Sequence, residues 1–477
     1  MRGRTMLSTK AIIQESGLGF GTSGVRGLVS QLTTEACQAF IYAFITAMSG
    51  RYTFNKVALG MDNRPSSPVM VRACAAALRQ LGLEPLFYGV LPTPALAFQA
   101  MHYGIPAIMV TGSHIPHDRN GLKFYSPHGE ITKVEEQQIL ETDVAFSRAI
   151  TQPELLASKE AVERYASRYQ HFFNASPLAD KRIGIYEHSS AGRDIYPAIF
   201  QALGATVVRL GRSDDFVPVD TEALSKEDEQ RALSWTRQYG LDALFSTDGD
   251  GDRPMLADEQ GHWLKGDLLG LLCCQYLGIQ SLAMPLNCNS AVDQSGIVTQ
   301  VVRTRIGSPY VLEAMEHLAG KVAGFEANGG FILGSPIDHE DRHLAALPTR
   351  DALLPALAAL ILTREKGLAA ALIRLPSRFT HSDRIKGNSA AFMQKAISEP
   401  LWLLEVLGLA ADMHVDIDLT DGIRIQLADH NIIHLRASAN APELRCYAEA
   451  GSQQEARKLV GNILCLAKDI MNSWNSQ

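Results

Sequence analysis

Several things are scarce or missing in these 477 residues, and each absence excludes something. No apolar run reaches the ~18 residues that a membrane-spanning helix needs. Near the N-terminus Arg2 and Arg4 are followed by Ser8, Thr9, Lys10 and Glu15 with no apolar block, so a secretory leader is not expected. No basic stripe is present and the formal net charge is -7, which argues against nucleic-acid binding. The seven cysteines (37, 74, 273, 274, 288, 446 and 465) are odd in number, scattered and without a C-x-x-C pair. Buried free thiols in a reducing compartment are therefore expected, rather than disulfides or a zinc site. Charged residues make up only 20% against 46% hydrophobic, which leaves no case for disorder. The expectation is a cytoplasmic protein with neither membrane nor nucleic acid among its partners.

What is present suggests about three domains, or four if they are small. Short apolar runs alternate with amphipathic ones, the mark of α/β layers. Strands are predicted at 56–60, 105–110, 182–186, 205–210 and 241–245, and helices at 67–81 and 193–203. The stretch 144–181 reads as mostly helical. A short C-terminal unit follows, with strands near 413–418, 422–427 and 431–436 and a closing helix near 453–470. Boundaries fall at 1–150, 151–260, 261–375 and 376–477. Several strands end in loops rich in Gly, Ser or Asp, where open α/β sheets bind ligands.

Four of those loops carry chemistry. In T-G-S-H-I-P-H-D-R-N-G-L-K, Ser113 stands on a strand-end loop beside His114, with Lys123 ten residues on. A serine oxygen there can carry a phosphoryl group, given a metal and an acid-base group nearby. A desolvated lysine flanked by cations can move protons. In S-T-D-G-D-G-D-R, Asp248, Asp250 and Asp252 alternate with glycines and can turn toward one hard cation. An EF-hand is the competing reading, since Glu259 falls at ligand position 12. It is disfavoured because Arg253 occupies the position that needs glycine and a strand precedes the loop. In G-F-E-A-N-G-G, Glu326 and Asn328 lie two apart and suit adjacent sugar hydroxyls. In R-A-S-A-N-A-P-E-L-R, Arg436 and Arg445 bracket small residues and can clamp an anion. An acidic chain that handles anions must attract them with such local cations. Two further segments carry Arg26 (G-T-S-G-V-R-G) and Asp62, Arg64 and Ser66 (G-M-D-N-R-P-S-S-P), the second favoured as structural.

In this order and spacing the loops resemble the α-D-phosphohexomutase superfamily over residues ~20–447, closest in style to its bacterial phosphomannomutases. The resemblance implies three similar mixed α/β domains plus a smaller C-terminal α+β domain around a central cleft. It implies a phosphosugar mutase that interconverts hexose 6-phosphate and hexose 1-phosphate, with mannose favoured, through a phosphoserine and a hexose 1,6-bisphosphate. Glucose or glucosamine phosphates are the alternative substrates, and an inactive sugar-phosphate-binding regulator is the alternative to an enzyme. By motif, Ser113 is the phosphoserine, and with Asp248, Asp250 and Asp252 it binds Mg²⁺. Arg26, Lys123 and Arg253 surround the transferring phosphate, and His114 is counted with the catalytic groups. Glu326 and Asn328 read sugar hydroxyls. Arg436, Ser438, Asn440 and Arg445 hold the idle phosphate. The protein is expected as a monomer or homodimer. Three places depart from the family pattern: Gly330 and Ser308, where relatives carry histidine, and Asn440-Ala441, where many carry Gly-Thr. The proton-handling role then falls on Lys123.

Overall fold

A computed structural model describes residues 6–21, 24–148, 153–173, 175–339, 341–408, 415–438 and 442–475. Its first three units repeat one strand path. In each, a middle strand (Lys56–Met61, Arg182–His188, Ser281–Pro285) pairs in parallel with a second strand on one side (Glu84–Val90, Thr206–Arg212, Gln300–Thr304) and a third on the other (Ala107–Val110, Ala243–Thr247, Val322–Phe325). The chain then reverses, and a fourth strand (Arg119–Ser126, Pro254–Ala257, Phe331–Leu333) runs antiparallel to the third. The third strands are buried along their whole length. That is the behaviour of parallel strands covered on both faces, and their near-continuous apolar runs follow from it. The loops bearing Ser113, the three aspartates and Glu326 all occupy this same reversal.

The C-terminal unit is different. Five antiparallel strands run in the order Phe379–Lys386, Glu443–Ala450, Ile432–Ala437, Ile423–Gln426, Asp416–Asp418. The helix Gln453–Asn475 packs against the first two of them. Two of the five strands were not expected. Phe379–Lys386 is an edge strand whose residues are all exposed or half-buried, so no period-2 apolar pattern marks it. Glu443–Ala450 buries alternate residues, but it begins inside what reads as an arginine-flanked loop. The stretch 144–181 is also less helical than expected: Ala145–Ser147 forms a strand with Met6–Ser8, and the helix there spans Glu160–Phe172.

Core packing separates the units further. One continuous apolar cluster joins the first three, running from Ala58 and Leu96 through Tyr165, Phe200 and Phe245 to Phe325 and Leu357. The C-terminal unit has its own cluster, built on Phe392, Leu403, Ile425, Leu435, Cys446 and Leu464. It meets the third unit through polar contacts. The Ser290 side chain donates to Glu449, the Asn289 amide donates to the Arg378 carbonyl at 2.9 Å, and the Ile306 N–H donates to Asp421 at 3.0 Å. A cavity of about 550 Å³ opens beside this seam, lined by Lys265, Ala327, Arg424, His434 and Tyr447 among others. All seven cysteines are free thiols, and only Cys465 is exposed. No described helix is long and apolar enough to cross a membrane.

Candidate active site

The serine loop is held open by an arginine. Buried Arg64 pairs with Asp62 and donates to the carbonyls of Ser113, Ile115, Pro116 and Arg119. All five of these bonds go to protein groups, which agrees with the structural role read for that segment. Gly112 gives the guanidinium room, since a Cβ there would come within 2.7 Å of it. Asp62 in turn accepts from Thr111, whose hydroxyl oxygen accepts the Ser113 N–H at 2.8 Å. Within this frame Ser113 is fully buried and has φ of 54°, the left-handed region that a non-glycine residue enters at a cost of about 1–3 kcal/mol. The Ser113 hydroxyl donates to Asp248 Oδ2 at 2.5 Å.

The aspartate loop comes from the second unit and is buried against the first. Gly249 lets it approach, because a Cβ there would lie 2.7 Å from the Ser113 carbonyl. Asp248, Asp250 and Asp252 each offer an oxygen within 4.8 Å of the others. The Lys123 ammonium donates to Asp250 Oδ2 and Asp252 Oδ2, both at 2.6 Å. Its nearest charges are thus carboxylates, where the sequence reading placed cations. Thr93 adds a hydroxyl to Asp250 at 2.6 Å.

Burial, then the charges of Asp250 and Asp252, push the Asp248 carboxyl well above the usual range. Burial is the largest single influence on the Asp250 carboxyl and works to raise it, but the Lys123 charge and hydrogen bond, the Thr93 hydroxyl and the Arg350 charge together hold that group low. Asp250 Oδ1 and Asp252 Oδ1 are buried with no hydrogen-bond partner. An oxygen-seeking divalent cation would satisfy them and offset the excess negative charge, so this donor set fits one.

Cations ring the cluster. Arg253 Nε lies 4.0 Å from Asp248 and 3.8 Å from Asp252. Arg26, on the strand Val25–Leu28, is lowered to about 10 by desolvation and by the charge of Arg253. His114 lies with Nδ1 3.4 Å from the Ser113 oxygen. Burial and the Arg253 and Arg26 charges hold its imidazole neutral.

The third loop is tied down more than expected. Asn328 uses its carbonyl oxygen to accept the Gly330 N–H and its amide to donate to Glu222 at 3.3 Å. Glu326 faces buried Arg350, whose Nη1 is 3.0 Å away. In the C-terminal unit Arg436 and Arg445 stand directly opposite each other on neighbouring strands, and Arg384 stands opposite Arg445 on the far side. Like charges in register repel. Such a row is what an anion clamp needs, and Arg436 is partly offset by Asp421 at 3.3 Å. Ser438 follows directly on the strand, its N–H donating to the Glu443 carbonyl at 2.9 Å. Asn440 and Ala441 lie outside the described residues.

Ser113, Lys123 and the three aspartates thus meet at one point, with Arg26, Arg253 and His114 around it, while Arg436 and Arg445 share a second place. Sequence reasoning missed Thr93, Glu222, Arg350 and Arg384. None stands in a motif: the packing of one unit on another reveals Thr93, Glu222 and Arg350, and strand pairing inside the C-terminal unit reveals Arg384.

Three family descriptions match the chain: phosphoglucomutase/phosphomannomutase alpha/beta/alpha domain I over residues 17–147, domain II over 163–261 and domain III over 265–379. A phosphomannomutase of Salmonella muenchen is 50% identical over 97% of this chain and 98% of its own. A solved phosphoglucomutase/phosphomannomutase family protein of Burkholderia thailandensis superposes with a TM-score of 0.72 at 19% identity, over 94% of this chain and 97% of that one. An Aspergillus fumigatus N-acetylphosphoglucosamine mutase, solved with GlcNAc-6P and magnesium, gives 0.60 at 13% identity, over 97% and 99%.

Proposed function

The chain belongs to the phosphoglucomutase/phosphomannomutase family and is a phosphohexomutase; from that premise we propose that it interconverts mannose 1-phosphate and mannose 6-phosphate through a phosphorylated Ser113, with Mg²⁺ on the aspartate loop. The single observation that carries this reading is the 2.5 Å contact between the Ser113 hydroxyl and Asp248, inside a buried triad with two unsatisfied oxygens. The mannose assignment rests on the similarity to the Salmonella enzyme, and magnesium on the donor set together with the Aspergillus complex.

Phospho-Ser113 gives its phosphoryl group to the free 6-hydroxyl of mannose 1-phosphate. The P–Oγ bond breaks, a P–O6 bond forms, and the hydroxyl proton passes to a nearby base. The 1,6-bisphosphate turns over in the cleft. Its 1-phosphoryl group then returns to Ser113, releasing mannose 6-phosphate. The bound cation supplies charge neutralisation at the transferring oxygens, the main tool in such chemistry. Arg26 and Arg253 add positive charge there. Lys123 bridges two of the carboxylates and fixes their geometry. Neutral His114, with Nδ1 3.4 Å from the Ser113 oxygen, is one candidate to take the hydroxyl proton, and Lys123, which bridges Asp250 and Asp252, is the other. Glu326 and Asn328 meet hydroxyls common to both sugar poses. Arg436, Ser438, Asn440 and Arg445 hold the phosphate that is not reacting.

A coupled assay of mannose, glucose and glucosamine 1-phosphates, with and without Mg²⁺, tests the reading. Mannose 1-phosphate should turn over fastest and only with metal. Intact-mass measurement should find one added phosphate on the wild type and none on Ser113→Ala. Metal-independent turnover, or an unphosphorylated active enzyme, would sink it.

A further inference from the structure

Gly330 has no positive φ to explain it. The neighbouring chain does. A Cβ at 330 would lie 2.8 Å from Arg350 Cδ, 2.9 Å from its Cγ and 3.1 Å from its Cβ. The stem of Arg350 therefore runs across the face of Gly330, and the glycine leaves its passage clear. Arg350 is only 1% exposed. Its Nη2 lies 2.9 Å from Asp252 Oδ2 and its Nη1 3.0 Å from Glu326 Oε2. One planar guanidinium thus spans the aspartate loop of the second unit and the Glu326 loop of the third. Glu130 of the first unit lies 3.9 Å from Nε and accepts from Ser308 and Thr349.

The carrier strand is itself fixed. Arg350 lies on Leu347–Asp351, where Asp351 accepts from the Tyr165 and Tyr169 hydroxyls and from the Leu353 N–H. The fork is therefore delivered from a rigid support. Arg350 is the side-chain partner of Glu326, so it decides which way that carboxylate turns. It also shares Asp252 Oδ2 with Lys123, which leaves Asp252 Oδ1 as the oxygen without a partner.

We propose that Arg350 is a positioning residue for the mutase reaction: it orients Glu326 toward the sugar while fixing Asp252, so that one guanidinium ties substrate recognition to the phosphoryl-transfer centre. The inference rests on the role given to Glu326 above. A planar two-pronged cation holds two carboxylates at set angles, whereas an ammonium is a compact point charge without that fixed fork. Loss of that alignment should act on the transition state more than on folding.

The test is a double-mutant cycle on the full chain with Mg²⁺ present, using Arg350→Lys, Glu326→Gln and the pair, read as kcat/KM for mannose 1-phosphate beside thermal midpoints. Each single variant is expected to lose roughly 100-fold. The pair should fall no more than a few-fold below the worse single, because both remove the same alignment, and the Arg350→Lys midpoint should stay near wild type. Multiplying losses, or wild-type kinetics in Arg350→Lys, would overturn the proposal. If Arg350→Lys fails to fold, Gly330→Ala takes its place: it keeps every charge but displaces the arginine stem. It should cost on the order of 10-fold in kcat/KM, and unchanged kinetics would overturn the inference. Ser113→Ala is assayed alongside. Activity in that variant would end the phosphoserine reading itself, whereas a dead Ser113→Ala with normal Arg350 and Gly330 variants ends only the positioning role.

Discussion

The serine end and the arginine end of the site are built by opposite means. At the serine end, Arg64 has spent its donors on the loop it holds, Lys123 bridges two carboxylates, and everything lies on a core shared by three units. At the arginine end, Arg436, Arg445 and Arg384 are set in register on a unit with its own core, held to the rest by a polar seam. The first end is organised before any ligand arrives. The second is a strip of like charges that an anion completes. On the roles proposed above, the reacting atoms have fixed geometry, while the clamp for the idle phosphate rides on the unit that has its own core.

The contrast can be broken most sharply at Ser113. Ser113→Ala should lower kcat roughly 10⁴-fold or more, about 5 kcal/mol of barrier, with an unchanged circular dichroism spectrum; residual turnover within tenfold of wild type would remove the serine end from the chemistry. Next is Arg64→Met, which strands buried Asp62 and four carbonyls. It should cost about 3–5 kcal/mol of stability in denaturant unfolding, and a near-neutral value would deny Arg64 its holding role. At the other end, Arg436→Ala and Arg445→Ala should each raise KM roughly 10–100-fold, the worth of charged hydrogen bonds at about 1.5–3 kcal/mol. Neither should destabilise the ligand-free protein, since a like-charge pair is relieved. A lowered thermal midpoint without a KM change would show the row to be structural.

A smaller effect comes with pH. His434 in the C-terminal unit and His188 in the second unit are both lowered from 6.5 to about 4 by burial. The unfolded chain takes up these protons near 6.5, the folded protein only near 4. Stability is therefore flat above pH 6.5 and falls as pH drops through that window. Each histidine should cost about 1.4 kcal/mol at pH 5.5, measurable as a fall in unfolding free energy that His434→Gln reduces. Last, Arg384→Ala should raise KM only a few-fold, because its side chain is 60% exposed; no change at all would confine the clamp to two arginines.

Much of the serine end was legible because its chemistry needs fixed residue types at short spacing: a serine between small residues, and carboxylates separated by glycines. The first two α/β units were legible for a related reason, since their buried third strands read as plain apolar runs, whereas Val322–Phe325 of the third unit was not named among the expected strands. Arg350 was not legible. It stands in P-T-R-D-A, a strand end without a motif, and its partners are Glu326, 24 residues away in its own unit, and Asp252 in the second unit. Phe379–Lys386 was missed because a half-buried edge strand carries no alternation, and Arg384 was lost with it. The setting of Lys123 was misjudged for the same reason: its carboxylate neighbours lie 127 and 129 residues away.

The reversal between third and fourth strands occurs three times, and each copy received a different task. Neighbouring strands fix the ends of each reversal, and the copies also touch one another: Gly249 packs on the Ser113 carbonyl, and Arg350 joins Glu326 to Asp252. On the roles proposed above, substrate preference would shift through replacements in the third copy that keep the Arg350 contacts, while the serine and the carboxylates hold their spacing. Swapping residues 326–330 for those of a relative with another sugar preference is the natural way to retune this scaffold, provided Arg350 is exchanged with them.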